Sequence, residues 1–161
     1  KAEKWALGLV SNLARRPQGN DRAQVKGIYE GLCDIAIINN YYFGKLKYSE
    51  DPIQREWAKS MRLTFPNQGE GDRGAHINIS GGGVAKYSKN KEAAIKLLEF
   101  LSSMDAQKMY GEINFEYPVN SKIKPSDELI SWGDFREDKI SIEKIALLSM
   151  DAQKIIDRVG W

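Results

Sequence analysis

The chain has 161 residues, 42% hydrophobic and 29% charged, and its 24 basic against 22 acidic residues leave a formal net charge of +2. That is the composition of one ordinary globular domain with a real core, neither disordered nor membranous. The basic residues are spread along the chain without the stripe that a phosphate backbone calls for, which argues against nucleic acid as a partner.

Residues 4–14, KWALGLVSNLA, place Trp5, Leu9 and Leu13 on one helical stripe with Val10 beside it. RRPQGND then reads as a loop, and Asn20 or Asp21 can cap a second helix whose apolar face is Val25, Ile28, Tyr29 and Leu32. CDIAII, residues 33–38, is a short Ile-rich run of the kind that forms a strand buried on both faces of a parallel sheet. The lone cysteine, Cys33, lies in this run and reads as a buried, inert thiol. A single cysteine excludes an internal disulfide, which leaves a reducing compartment or a fold large enough to need no staple.

Asn39 and Asn40 are turn formers after that strand, so Tyr41 and Tyr42 begin the next element. Side chains of neighbouring residues point to opposite faces of a strand, and an adjacent pair that is to act on one ligand must therefore sit where the strand has ended. In open α/β sheets ligands bind at the carboxyl ends of strands, which makes the tyrosine pair the candidate site. The competing structural reading has one ring packed in the core and the other covering it.

DPIQREWAKSMRL, residues 51–63, is helical by its fourfold spacing of Ile53, Trp57 and Met61. The glycine-rich stretch that follows contains HINIS as an alternating strand ended by Gly81, Gly82 and Gly83. No P-loop lysine and serine follow the triplet, so it reads as a backbone bend or hinge. His76, the only histidine, lacks local partners for a metal site or a triad and reads as structural. Asn90 caps a strong helix, KEAAIKLLEFLSS, with Ala94, Leu97, Leu98 and Leu101 toward the core. NFEYPVN is extended up to Pro118, and the tail from Ser141 is a helical packing element. The hexapeptide SMDAQK occurs at 103–108 and again at 149–154, and in each copy the serine suits a new helix start. No apolar stretch reaches the roughly 18 residues of a membrane span. The chain begins KAEKW, as a mature or truncated product would, so export is not legible from its start.

Taken in order, ARRPQGNDRAQ, GLCDIAIINNYYFGKL, FPNQ, GAHINISGGGVAK and NFEYPVN resemble the C-terminal half of bacterial periplasmic ferric-ion-binding proteins, the substrate receptors of iron ABC importers. The resemblance implies an α/β, type II periplasmic-binding-protein fold with two transferrin-like lobes, present as a C-terminal fragment. Residues 1–71 would belong to the C-lobe with the Tyr-Tyr motif, 72–122 would cross to the N-lobe, and 123–161 would return as a helical segment. It further implies that Tyr41 and Tyr42 are phenolate ligands to Fe(III). Asn39, Arg15 and Asn20 would lie near a synergistic anion such as carbonate or phosphate. The remaining ligands would come from N-terminal lobe residues that this chain does not contain, and the partner would be an ABC importer permease. The expected location is the periplasm or a lipid-anchored equivalent at the cell surface.

The chemistry of the pair stands beside the resemblance. A small trivalent cation prefers hard oxygen donors, and phenolate is a hard anionic one. Free tyrosine titrates near pH 10, so the metal must displace a proton and acid must weaken binding. Two phenolates fill only part of an octahedral sphere, so other donors are required. The alternative is a binding protein of the same fold for an oxyanion or small organic solute, with the rings stacking or hydrogen-bonding. The sequence displays no Ser/His/Asp set, no carboxylate pair at a strand end and no His/Cys metal box, and an enzyme is not expected.

Overall fold

The computed structural model describes all residues 1–161. Eight α-helices carry the chain: α1 (Ala2–Ser11), α2 (Asp21–Tyr29), α3 (Asn40–Lys47), α4 (Pro52–Lys59), α5 (Lys91–Leu101), α6 (Met104–Met109), α7 (Asp127–Ser131) and α8 (Ile142–Val159). A single π-helical turn, Tyr110–Asn114, continues α6.

Caps set most of the helix starts. Asn20 Oδ1 accepts from Ala23 N at 3.2 Å, which settles the choice between Asn20 and Asp21 as the cap of α2. Asp51 Oδ1 accepts from Ile53 N at 2.8 Å ahead of Pro52, the first residue of α4. Asn90 does sit at the N-cap of α5, but its side chain makes no capping bond. The two copies of SMDAQK behave differently. Ser103 Oγ accepts from Ala106 N at 3.3 Å and starts α6. Ser149 lies inside the continuous α8, where its hydroxyl donates back to Ala146 O at 2.7 Å, so the second expected helix start is corrected. The chain before Ser103 has already left its helix at Ser102, whereas α8 was started by Ser141 eight residues earlier and nothing interrupts it.

The principal core is a triangle of α2, α3 and α4 built on Val25, Leu46 and Ala58, with Ile38, Phe43, Trp57 and Met61 packed around it. A second body of contact is aromatic. Phe65 stacks on Phe135 at 4.1 Å, Phe135 meets Tyr117 edge-on at 5.4 Å, and Tyr117 meets Trp132 edge-on at 6.5 Å. Trp132 then reaches Phe43 of α3 at 5.9 Å. Gln68 locks the outer end of this series by accepting from Arg136 N at 2.6 Å and donating to Arg136 O at 3.0 Å.

The expected strands have no ladders within this chain. Residues 33–38 and HINIS are non-helical, yet the only pairing is one parallel bridge, Ala75 with Glu137. Ile35 and Ile37, read from sequence as buried on both faces, are 83% and 73% exposed. The apolar face of α5 likewise has no fully buried residue, and Trp5 of α1 is exposed. Only 14 of 161 residues are buried, and the accessible surface is 12412 Å². Surface–mass scaling gives about 8100 Å² for a compact monomer of this mass, so about 4300 Å² stands open beyond that expectation. The helical and strand patterns were therefore read from faces that this chain does not itself cover. Gly82 of the glycine triplet has a packing reason: a Cβ there would come within 2.9 Å of Leu98 Cδ2, so the bare backbone lets α5 approach.

Candidate metal-binding site

Asn39 is extended, with φ −72° and ψ 133°, and the chain turns into α3 immediately after it. Tyr41 and Tyr42 thus occupy the first turn of a helix rather than the end of a strand. Adjacent helical side chains diverge by only about 100°, which allows both rings onto one side. Their centroids lie 4.3 Å apart at an interplanar angle of 32°. Two other tyrosines commit their hydroxyls to protein acceptors: Tyr48 donates to Glu128 Oε2 at 2.7 Å and Tyr117 to Leu129 O at 3.3 Å. The competing reading, one ring in the core with the other as its cover, is not what the pair adopts, since neither ring is fully buried.

The charges around the pair come from three elements. The Tyr42 hydroxyl beside it, partial desolvation, and the negative charges of Asp21 and Glu116 push the Tyr41 phenol up to about 12. Arg22 of α2 places its guanidinium carbon 5.9 Å from the Tyr42 ring centroid, and Lys45 its ammonium 5.0 Å from that of Tyr41. Arg22 Nε is buried and has no acceptor in the chain. Two cations and two carboxylates therefore surround the pair of phenols.

The three residues expected near an anion have local duties. Asn39 donates its backbone N and Nδ2 to Asp21 Oδ1 at 2.7 and 3.2 Å, tying the start of α3 to the start of α2. Asn20 caps α2. Arg15 donates to Ala23 O at 3.1 Å and Gln24 Oε1 at 3.5 Å, alongside α2. Arg22, which sequence reading passed over, is the arginine that faces Tyr42. Its signal was its place directly after the cap and its first-turn aspartate. His76 is exposed in a small cleft with Asp138, and Cys33 is partly exposed rather than buried. No group of three His, Cys, Asp or Glu side chains could hold a metal.

Distant motifs converge on α3. Ser80 of HINIS donates to Glu116 Oε2 at 2.8 Å, and Asn114 donates to Glu116 Oε1. Phe115, left-handed at φ 58° after the π-turn, lies against Gly44, where a Cβ would come within 2.3 Å of its ring. The tyrosine-bearing helix thus rests on residues drawn from 20 to 132 of the sequence.

No family model matches the chain. Solved structures do. A ferric binding protein from Campylobacter jejuni superimposes with a TM-score of 0.92 at 42% identity, covering 99% of this chain and 50% of that one. A Trichodesmium protein in complex with iron and citrate ligands gives 0.90 at 46% identity, again over 99% and 50%. The fold is therefore that of the transferrin-like periplasmic binding proteins, represented by about half of such a molecule. Iron uptake protein A2 of Synechocystis is 40% identical over all 161 residues, which make up 46% of its length. The chain belongs to the bacterial ferric-ion-binding protein family and spans about half the length of the curated relatives it matches. The α/β class expected from sequence holds at the level of this fold, although the strand segments find no neighbours inside the chain.

Proposed function

We propose that this chain is the C-terminal half of a solute-binding receptor that captures Fe(III) and delivers it to an ABC importer in the periplasm, without chemical turnover. The observation that carries the reading is the paired phenols of Tyr41 and Tyr42 at the start of α3, 4.3 Å apart and set between Arg22 and Lys45. Two phenolates neutralise two of the three charges of Fe(III), and each must release its proton to the solvent when the metal arrives. The remaining oxygen donors come from the other half of the molecule. The same half supplies the strands that flank 33–38 and covers the apolar faces left open here. On this reading residues 1–71 and 123–161 form one lobe and 72–122 cross toward the other. A small oxyanion completes the coordination, with Asn39 and the 15–20 loop at its approach and Arg22 as the cation nearest Tyr42.

The test is an Fe(III) titration of the natural gene product that contains this chain, followed by its visible charge-transfer band. Tyr41→Phe and Tyr42→Phe keep each ring but remove an anionic oxygen. Each should weaken binding strongly and alter the band, while the melting temperature of the metal-free protein stays nearly constant. Iron binding with unchanged affinity and colour in both variants would refute the assignment.

A further inference from the structure

Beneath α3 lies a carboxylate that takes no part in the site as described so far. Glu128, on α7, has a side chain only 11% exposed and accepts four hydrogen bonds from three donor groups. Lys47 Nζ bonds its two oxygens at 2.7 and 2.8 Å, Tyr48 OH donates at 2.7 Å and Trp132 Nε1 at 2.9 Å. Lys47 is the last residue of α3 and Tyr48 its C-cap. Trp132 presses edge-on against Phe43, the residue after Tyr42. Tyr48 in turn stacks on Phe115 at 5.5 Å and 9°, and Phe115 backs Gly44.

We infer that Glu128 is a positioning residue for the tyrosine pair, fixing the rotation of α3 about its own axis through Lys47, Tyr48 and Trp132. The inference rests on the reading of Tyr41 and Tyr42 as metal ligands. Residues 43 and 47 are i, i+4 neighbours on the face turned toward Glu128, and Tyr41 lies roughly 200° around the helix from Phe43. Anything that lets α3 roll therefore swings the phenols. A roll of about 10° moves a group at about 6 Å from the axis by about 1 Å. Metal–ligand distances tolerate only about 0.2 Å.

The chemistry requires an ionised carboxylate at this position. An ammonium, a phenol and an indole N–H all donate, and only a carboxylate offers enough lone pairs to accept from all of them. Burial alone would push the Glu128 carboxyl up, but the bonds from Lys47, Tyr48 and Trp132 outweigh it and hold it below its ordinary value. An amide in its place would turn an NH2 toward the lysine ammonium and lose one acceptor.

The experiment is Glu128→Gln, Glu128→Asp and Trp132→Phe in the natural gene product, read by Fe(III) affinity against a competing chelator, by the position of the charge-transfer band, and by metal-free melting. Glu128→Gln should lower affinity about 10- to 100-fold, as is usual for groups that orient a metal's ligands, and should move the band although both tyrosines are present. Glu128→Asp, which keeps the charge, should recover part of the affinity. Trp132→Phe, which keeps the ring packing, should give a smaller loss of the same kind. A Glu128→Gln protein that melts lower but binds iron with unchanged affinity and band would overturn the inference and leave Glu128 merely structural. If that variant fails to fold, Trp132→Phe decides by the same two readouts. Iron binding indifferent to Tyr41→Phe and Tyr42→Phe would instead overturn the site reading and this inference with it.

Discussion

Gly44→Ala is the substitution whose outcome the structure fixes most sharply. Gly44 is buried in α3, and an added Cβ would stand 2.3, 2.6 and 2.7 Å from Phe115 Cγ, Cδ2 and Cδ1. Carbon atoms in good contact are about 3.5 to 4.0 Å apart, so the ring or the helix must yield by about 1.2 Å or more. The ring has little room to retreat, being stacked on Tyr48, tilted against Trp132, 7% exposed and attached to a left-handed backbone. Overpacking of this kind costs about 1 to 3 kcal/mol, against a gain of about 1 kcal/mol for replacing a helical glycine by alanine. With the ring so confined we take the upper part of the range, for a net loss of about 1 to 2 kcal/mol. Gly8 of α1 is the control: nothing lies within 4 Å of its Cβ position. Gly8→Ala should therefore stabilise by about 0.5 to 1 kcal/mol. Urea denaturation of the metal-free natural gene product measures both, and chelator competition should show weaker iron binding for the Gly44 variant only. A Gly44→Ala protein as stable as its parent would refute the proposition that Phe115 is the rigid seat of α3.

Two further outcomes follow from local geometry. Ser103→Ala removes the cap of α6 and should cost about 1 kcal/mol. Ser149→Ala, the same residue of the same hexapeptide inside α8, should be neutral or stabilise by up to about 0.5 kcal/mol; equal losses measured by denaturation would contradict the two environments described. For the metal, the Tyr41 phenol at about 12 is protonated throughout the neutral range, so binding releases its proton and affinity falls as pH falls. With one proton displaced from each phenol the association constant should drop about 100-fold per pH unit of acidification, and about tenfold in Tyr41→Phe. Potentiometric or chelator-competition titrations from pH 8 to 6 check this, and a flat profile would show that phenolates are not ligands.

How much of this was legible in the sequence depended on where each signal is satisfied. The cap of α2, narrowed in sequence to Asn20 or Asp21, was legible because capping is settled within three residues, whereas the Asp51 cap ahead of Pro52 was not singled out although the helix it starts was. The tyrosine pair was legible because a strand-like run, two turn formers and two phenols are consecutive, although the pair opens a helix rather than closing a strand. The strand assignments carried the right hydrophobic pattern but no partners. Ile35 and Ile37 stand exposed in this chain, because periodicity records the preference of a face without saying what covers it. The repeat of SMDAQK misled because a serine two residues before an aspartate starts a helix only where the preceding helix has stopped. Arg22 was only weakly legible and Glu128 not at all. Arg22 looked like one more first-turn residue, and Glu128 acts on residues 80 and 81 positions away, a pairing that no local window contains.

That long separation also explains why the surroundings of the tyrosine pair have form within this chain alone. A sheet depends on strands that pair edge to edge, and the strand-like segments of this chain make a single bridge, Ala75 with Glu137. The seat of α3 is made differently, from side chains that reach across loops: Asp21 to Asn39, Phe115 to Gly44, Glu128 to Lys47 and Tyr48. Each of these contacts has both members in this chain, so the tyrosines keep their orientation while about 4300 Å² of surface elsewhere stands open by the scaling for compact monomers. If the proposed function holds, the arrangement separates two requirements of a metal receptor. The phenols would have to be held still enough for a metal–oxygen bond, a role that the Glu128 and Phe115 contacts fit. On that reading, donors from another body would approach from the side of α3 where Arg22 and Lys45 lie 5.9 and 5.0 Å from the tyrosine ring centroids and neither ring is fully buried.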